Sequence, residues 1–303
     1  MLPQPSLQEV PCLFQQLFTL SPDRHSLHAD PIFISIDVSH GNKKRFSAIG
    51  ACILDTRCLT SPTPRVPSHH THPLLHTQTF NFQYGRAGVK RKQERALFHG
   101  QVHKVRWSER IPLLNHIFQH SMEQEDVELC CGSRKFPMYS SPNGITPDVK
   151  AFKLARPIVL IGHDVHSDLL SLDKASFSVS DVATIVAIID TQILAREMSR
   201  ALLPDEEMFR ADDPGWNISL RKLCCLLGMV PRKLHECGND AAWTLLVFFN
   251  LVAKILGEDN KSNTALDSLE EILKSGLLDT KTGKQIEKEN KGKVKVEMED
   301  RGD

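Results

Sequence analysis

A mixed α/β domain, a central sheet flanked by helices, is the fold class this sequence predicts, and three observations carry it. Strand-like segments cluster early, short apolar runs alternate with helical patterns later, and the informative apolar segments all fall between Ile32 and Leu256. With 303 residues, 41% of them hydrophobic, the chain has material for one sizeable core. The economical organisation is one domain over residues 31–257 with insertions near 60–76 and 120–156. Around it lie an N-terminal extension at 1–30, a C-terminal helical extension at 258–280 and a charged tail at 281–303.

The elements follow in order. Ile32, Ile34 and Ile36 alternate with Phe33, Ser35 and Asp37, the period of a strand, and Phe46 to Asp55 (FSAIGACILD) supplies a second. His40 to Arg45 (HGNKKR) reads as a hairpin-like turn between them. Pro, Ser, Thr and His dominate Thr60 to Pro73, a loop composition, before a third strand pattern at Gln78 to Tyr84. Trp107 to Phe118 has helical spacing, with Ser108 as candidate cap. Pro157 to Ile161 (PIVLI) and Ala183 to Ile189 (ATIVAII) are buried-strand runs, the first ending on Gly162-His163-Asp164 and the second on Asp190-Thr191. Leu169 to Leu172 belongs to a helix after the first of these. Ser219 to Leu227 predicts a short helix ended by Gly228, Asp240 to Leu256 a longer buried one, and Leu266 to Leu273 a further amphipathic one. From Lys281 onward large apolar residues nearly vanish, so the tail is expected to be disordered.

Composition narrows the function classes. Lys plus Arg and Asp plus Glu each number 37, so net charge gives no whole-protein steering toward a phosphate backbone. Eight cysteines without CxxC spacing argue against structural zinc and disulfide stapling, and for a reducing compartment. The N-terminus lacks a basic region followed by an apolar run, and no apolar segment approaches membrane-spanning length. A cytoplasmic or nuclear protein without a membrane partner is the expectation.

The chemistry points to acids. An acid inside the apolar run IFISIDV is costly unless paired or metal-bound, which singles out Asp37. Asp168 lies just beyond another strand and Asp240 at the start of the long helix, so three carboxylates distant in sequence can converge. Oxygen donors of this kind suit Mg²⁺, and a pair of ions about 3.5–4 Å apart stabilises attacking and leaving oxygens in phosphodiester hydrolysis. His235, five residues before Asp240, is positioned to take a proton from an attacking water. Taken singly, Asp168 reads as a helix cap or solvent-facing acid, Asp240 as an N-cap, and Asp190 as a turn-stabilising residue. The histidines His69, His70, His72 and His76 sit in a Pro-rich loop without fixed ligand geometry. Lys43, Lys44 and Arg45 either touch a backbone phosphate or solubilise a turn.

In order and spacing, FISIDVS, FSAIGACILDTRCL, VLIGHDVHSDLLSL, AIIDTQIL and SLRKLCCLLGMVPRKLHECGNDAAWTLLVF resemble the motifs of the DEDDh 3′–5′ exonucleases of the ribonuclease H-like fold. More closely, they resemble a fungal DEDDh-like domain named after a yeast protein associated with mRNA export and a DEAD-box helicase. The resemblance covers Ile32 to Leu256. It implies Asp37, Asp168 and Asp240 as ligands of Mg²⁺ or Mn²⁺, with Asp37 bridging two ions, and His235 as general base. It also implies a single-stranded RNA or DNA 3′ end as partner. The family normally carries a Glu two residues after its first Asp; here Ser39 stands there, with Asp164 a weak substitute. Losing that carboxylate removes negative charge from a site meant for two divalent ions, so weak or absent catalysis is expected. The alternative is a non-catalytic adaptor that binds proteins of RNA metabolism.

Overall fold

The computed structural model describes residues 31–40, 45–56, 75–83, 100–119, 156–202 and 217–256. Strands β1 (Ile32–His40), β2 (Phe46–Asp55), β3 (His76–Gln83), β4 (Gly100–Arg106), β5 (Ile158–Gly162) and β6 (Ile185–Asp190) form one sheet in the order β4-β3-β2-β1-β5-β6. The sheet is mixed: β1–β2 and β2–β3 run antiparallel, whereas β3–β4, β1–β5 and β5–β6 run parallel. Among the described residues the helices are α1 (Arg110–Phe118), α2 (Val165–Lys174), α3 (Thr191–Leu202), α4 (Leu220–Leu226) and α5 (Cys237–Leu256). This is the predicted mixed α/β architecture, consistent with the ribonuclease H-like arrangement.

The alternation in β1 sorts its side chains between two cores. Ile32, Ile34, Ile36 and Val38 join Leu114, Ile117 and Phe118 of α1 and Val165 and Leu172 of α2. Phe33 faces the other way, into a core dominated by α5, where it packs at 5.5 Å and 5.8 Å from the rings of Phe249 and Phe248. Ser35, Asp37 and Ser39 follow Phe33 on that α5 side, by the same period of two. The mostly buried α5 is thus the lid over the polar half of β1.

Two glycines let α5 approach so closely. Gly50 pairs with Asp37 across β1–β2, and a Cβ there would overlap the backbone of Cys237. A Cβ on Gly238 would overlap the Thr79 hydroxyl, which instead accepts the Gly238 N–H at 3.0 Å and satisfies a free donor of the first turn. The opposite end of the sheet is closed by a buried ion pair. Arg156 makes two contacts with the Asp55 carboxylate, at 2.6 Å and 2.8 Å, and a third with the Pro31 carbonyl at 3.4 Å.

Several expectations need correction. β4 and α3 were not anticipated, and the third strand starts at His76, two residues early. Ser108 is not a cap; a 3-10 turn spans Trp107–Glu109, and Glu109 is the N-cap residue of α1. α5 begins at Cys237, so Asp240 lies within its first turn and is not its cap. Ser219 does cap α4, accepting from Lys222 N–H at 3.3 Å, and Gly228 follows it at φ 76°. The extensions at 1–30 and 258–280, the helix at Leu266 to Leu273, the tail, most of both insertions, and Lys43, Lys44, His69, His70 and His72 lie outside the described residues.

Candidate acidic site

Asp37 stands in the second half of β1, half-buried on the face that α5 covers. Between Ser39 and His40 the β1–β2 register shifts: Ser39 pairs with Ala48 and His40 with Phe46, leaving Ser47 as the extra residue of a bulge. Ser47 donates from its hydroxyl to the hydroxyl of Ser39 at 3.1 Å. The position that resembles a missing glutamate is therefore a short neutral side chain tied to a bulge.

Asp168 reaches the same place from β5 and α2. β5 leaves register with β1 after Ser35, which frees the Val38 N–H, and the Asp168 carboxylate accepts it at 2.8 Å. The turn into α2 is built by Asp190 at the end of β6. Its carboxylate accepts the N–H groups of Asp164 (3.3 Å), Val165 (2.9 Å) and Gln192 (2.8 Å). The bond to Gln192, two residues on, is the local turn anticipated for an Asp-Thr pair after a strand; the bonds to the α2 turn were not anticipated. Asp164, at φ 68°, is exposed and its carboxylate accepts the Ser167 hydroxyl at 2.7 Å, within the first turn of α2. His163 is half-buried, with its ring nitrogens 2.9 Å from the Thr191 hydroxyl and 2.8 Å from the Ile218 carbonyl. Burial holds its pKa below the usual value, so the ring ties α3 and the start of α4 to β5 as a neutral group.

Asp240 enters from the first turn of α5. Both its carboxylate oxygens accept the main-chain N–H of His235, at 3.1 Å and 3.0 Å. The loop holding His235 is itself anchored: Asn239 donates to the Lys233 carbonyl at 2.8 Å and the Trp243 indole to the Arg232 carbonyl at 3.2 Å. Lys233 and His235 both adopt left-handed backbone, φ 53° and 73°, and both are exposed. The spacing of five between His235 and Asp240 thus has a structural meaning, a loop folded back on the first turn of the helix.

Asp37 acts on both of the other carboxylates. Burial first, then the Asp37 charge, push the Asp168 carboxyl well above its ordinary range, against the opposing Val38 N–H. Burial first, then Asp37, raise Asp240 to about 7, opposed by the His235 N–H. Cys237, absent from the sequence expectations, belongs to the same cluster: its thiol is buried, hydrogen-bonds the Asp37 carboxylate and lies against the Ser39 backbone. Burial and the adjacent Asp37 charge keep it protonated, as a donor to that acid. Nothing in the sequence joins a cysteine to Asp37; the link is the Gly50 close approach.

Three converging carboxylates are the donor type a hard divalent ion requires. As placed, each is turned on a protein donor, Asp37 on a thiol, Asp168 on Val38 N–H and Asp240 on His235 N–H. Among the described residues, no group of three His, Cys, Asp or Glu is found that could hold a metal ion. Also among the described residues, no helix is long and apolar enough to cross a membrane.

No curated protein matches the chain. A family model described as DNA polymerase III subunit epsilon-like, C-terminal domain, of the DEDDh type, matches residues 32–251, from the start of β1 deep into α5. The match spans the whole sheet and all three acids, and the chain belongs to that DEDDh exonuclease-domain family.

Proposed function

We propose that this domain binds the 3′ end of a single-stranded RNA or DNA at the acidic site and hydrolyses it weakly or not at all. The observation that carries this reading is the electrostatic coupling of Asp37, Asp168 and Asp240 beside a serine hydroxyl in place of a fourth acid. Mg²⁺ or Mn²⁺, when bound, would supply charge neutralisation at the scissile phosphate, and Asp37, Asp168 and Asp240 would hold it.

The remaining roles fall to the chain itself. His235, exposed on the loop before α5, is the group that takes a proton from an attacking water. Cys237 orients Asp37, and Asp190 holds the turn from which α2 delivers Asp168. The narrower resemblance, to the fungal domain associated with mRNA export, belongs to this same reading and rests on the order and spacing of the motifs. So does a cytoplasmic or nuclear location, on the cysteine pattern.

End-labelled single strands incubated with Mg²⁺ or Mn²⁺ test the proposal. Slow 3′ shortening that disappears in Asp37→Ala and Asp240→Ala, and strengthens in Ser39→Glu, is the expected result. Shortening unchanged in both alanine variants would exclude the site. A folded protein that binds neither divalent ion nor oligonucleotide in calorimetric titration would favour the adaptor role instead.

A further inference from the structure

Beyond the acidic site, the α5 side of the sheet continues toward β4, which no helix start among the described residues covers. The row that contains Ser39 runs through Ala48 and Asn81 to Lys104. One row further, Gln83 pairs with Arg106. On the opposite face of β4, His103 stacks on Phe80 at 5.1 Å, and Val105 packs on the α1-side core. By the period of two, Lys104 and Arg106 stand on the α5 side, and both are exposed. α5 begins over β3, where Gly238 meets Thr79, so this margin lies past the end of its lid. A third cation, the exposed Arg45, stacks 6.0 Å from the Trp107 ring at the same end of the sheet. The neighbouring Glu109 carboxylate accepts the backbone N–H of Arg106 at 2.9 Å.

We propose that this margin is a phosphate track for the single strand leaving the acidic site, with Lys104 and Arg106 as the contacts that hold its upstream phosphates. The inference rests on the nucleic-acid reading above and adds the path and polarity of the bound strand. Three strand spacings separate Ser39 from Lys104, about 14 Å, which lies beyond the reach of a terminal nucleotide alone. A polyanion suits a patch of exposed cations in continuity with the site, whereas an acidic pocket by itself repels it. Cations on an edge strand also discourage pairing with another sheet, an explanation that predicts aggregation and not weaker oligonucleotide binding on their removal.

The test compares the full chain with Lys104→Gln/Arg106→Gln in Mg²⁺, by fluorescence anisotropy, on a dinucleotide and a decanucleotide of single-stranded RNA and of DNA with phosphorothioate linkages that slow hydrolysis. The control pair, Lys174→Gln/Lys254→Gln, removes the same charge from helix ends elsewhere. Expected are a roughly tenfold weaker decanucleotide affinity, a log-log salt slope shallower by about 1.4 and an unchanged dinucleotide affinity. The control pair should leave all three unmoved. Equal losses in the control pair, equal losses on the dinucleotide, or an unchanged salt slope would each overturn the track while leaving the acidic site standing. Failure of the wild-type chain to bind either length would remove the nucleic-acid reading and the track together.

Discussion

The two ends of the central sheet handle buried acids in opposite ways. Beside the start of β1, Asp55 is 5% exposed and receives a bidentate guanidinium from Arg156, itself 2% exposed. In the second half of β1, Asp37, Asp168 and Asp240 face one another and are answered by N–H and S–H groups. A paired acid closes a core; acids raised in pKa by burial and by the Asp37 charge store unfavourable charge that a cation or a proton relieves. Stability is thus held at one end, while the other carries buried charge that costs stability.

Breaking the clamp should give the largest effect. Arg156→Ala leaves Asp55 buried without its guanidinium, and a loss of about 3–5 kcal/mol in urea unfolding is expected. Replacing both partners by apolar residues of similar volume should recover most of it. If Arg156→Ala costs no more than an exposed substitution, the two ends do not differ as described.

The clamp was invisible in the sequence, because its partners lie 101 residues apart and neither sits in a pattern. β1, β2, β5 and β6 were legible because burial on both faces, or on alternate ones, writes itself into apolar period. β4 was not: on an edge, its sequence GQVHKVR needs only His103 and Val105 turned inward, too few for a period to register. α3 starts on Thr191 directly after the strand, with neither Gly nor Pro to separate the two, and reads as a turn. Gly238 and Asn239 are poor helix formers, yet Thr79 and the contact with Gly50 draw them into α5. At the site, the order of motifs brought Asp37, Asp168, His235 and Asp240 to notice. The pairing of Asp190 with the α2 turn and of Cys237 with Asp37 needed the packed structure.

A substitution at Gly50 would degrade the binding end while leaving the clamp intact. A methyl group there collides with the Cys237 backbone, not with a movable side-chain tip. Gly50→Ala should therefore cost about 1–3 kcal/mol and shift the first turn of α5 away from Asp37. Oligonucleotide affinity should fall with it, whereas Ala48→Gly, next along the same strand face, should cost stability without that shift. An affinity unchanged in Gly50→Ala would mean that the α5 approach does not set the site.

The last comparison concerns protons. The Asp240 carboxyl titrates at about 7 in the folded domain, against ~3.9 in an unfolded chain. A raised folded value means the folded state binds the proton more tightly. Its contribution to stability is complete below the unfolded pKa and is lost as pH rises through the folded one. Metal-free wild-type protein should accordingly lose melting temperature relative to Asp240→Asn between about pH 4 and pH 7, with the difference flat above. Asparagine keeps an oxygen for the His235 N–H, so the comparison isolates the charge. Added Mn²⁺ should narrow the gap at high pH, because a bound cation relieves the same repulsion that the proton does. Parallel pH profiles for the two proteins would show that Asp240 does not carry the shared charge of the site.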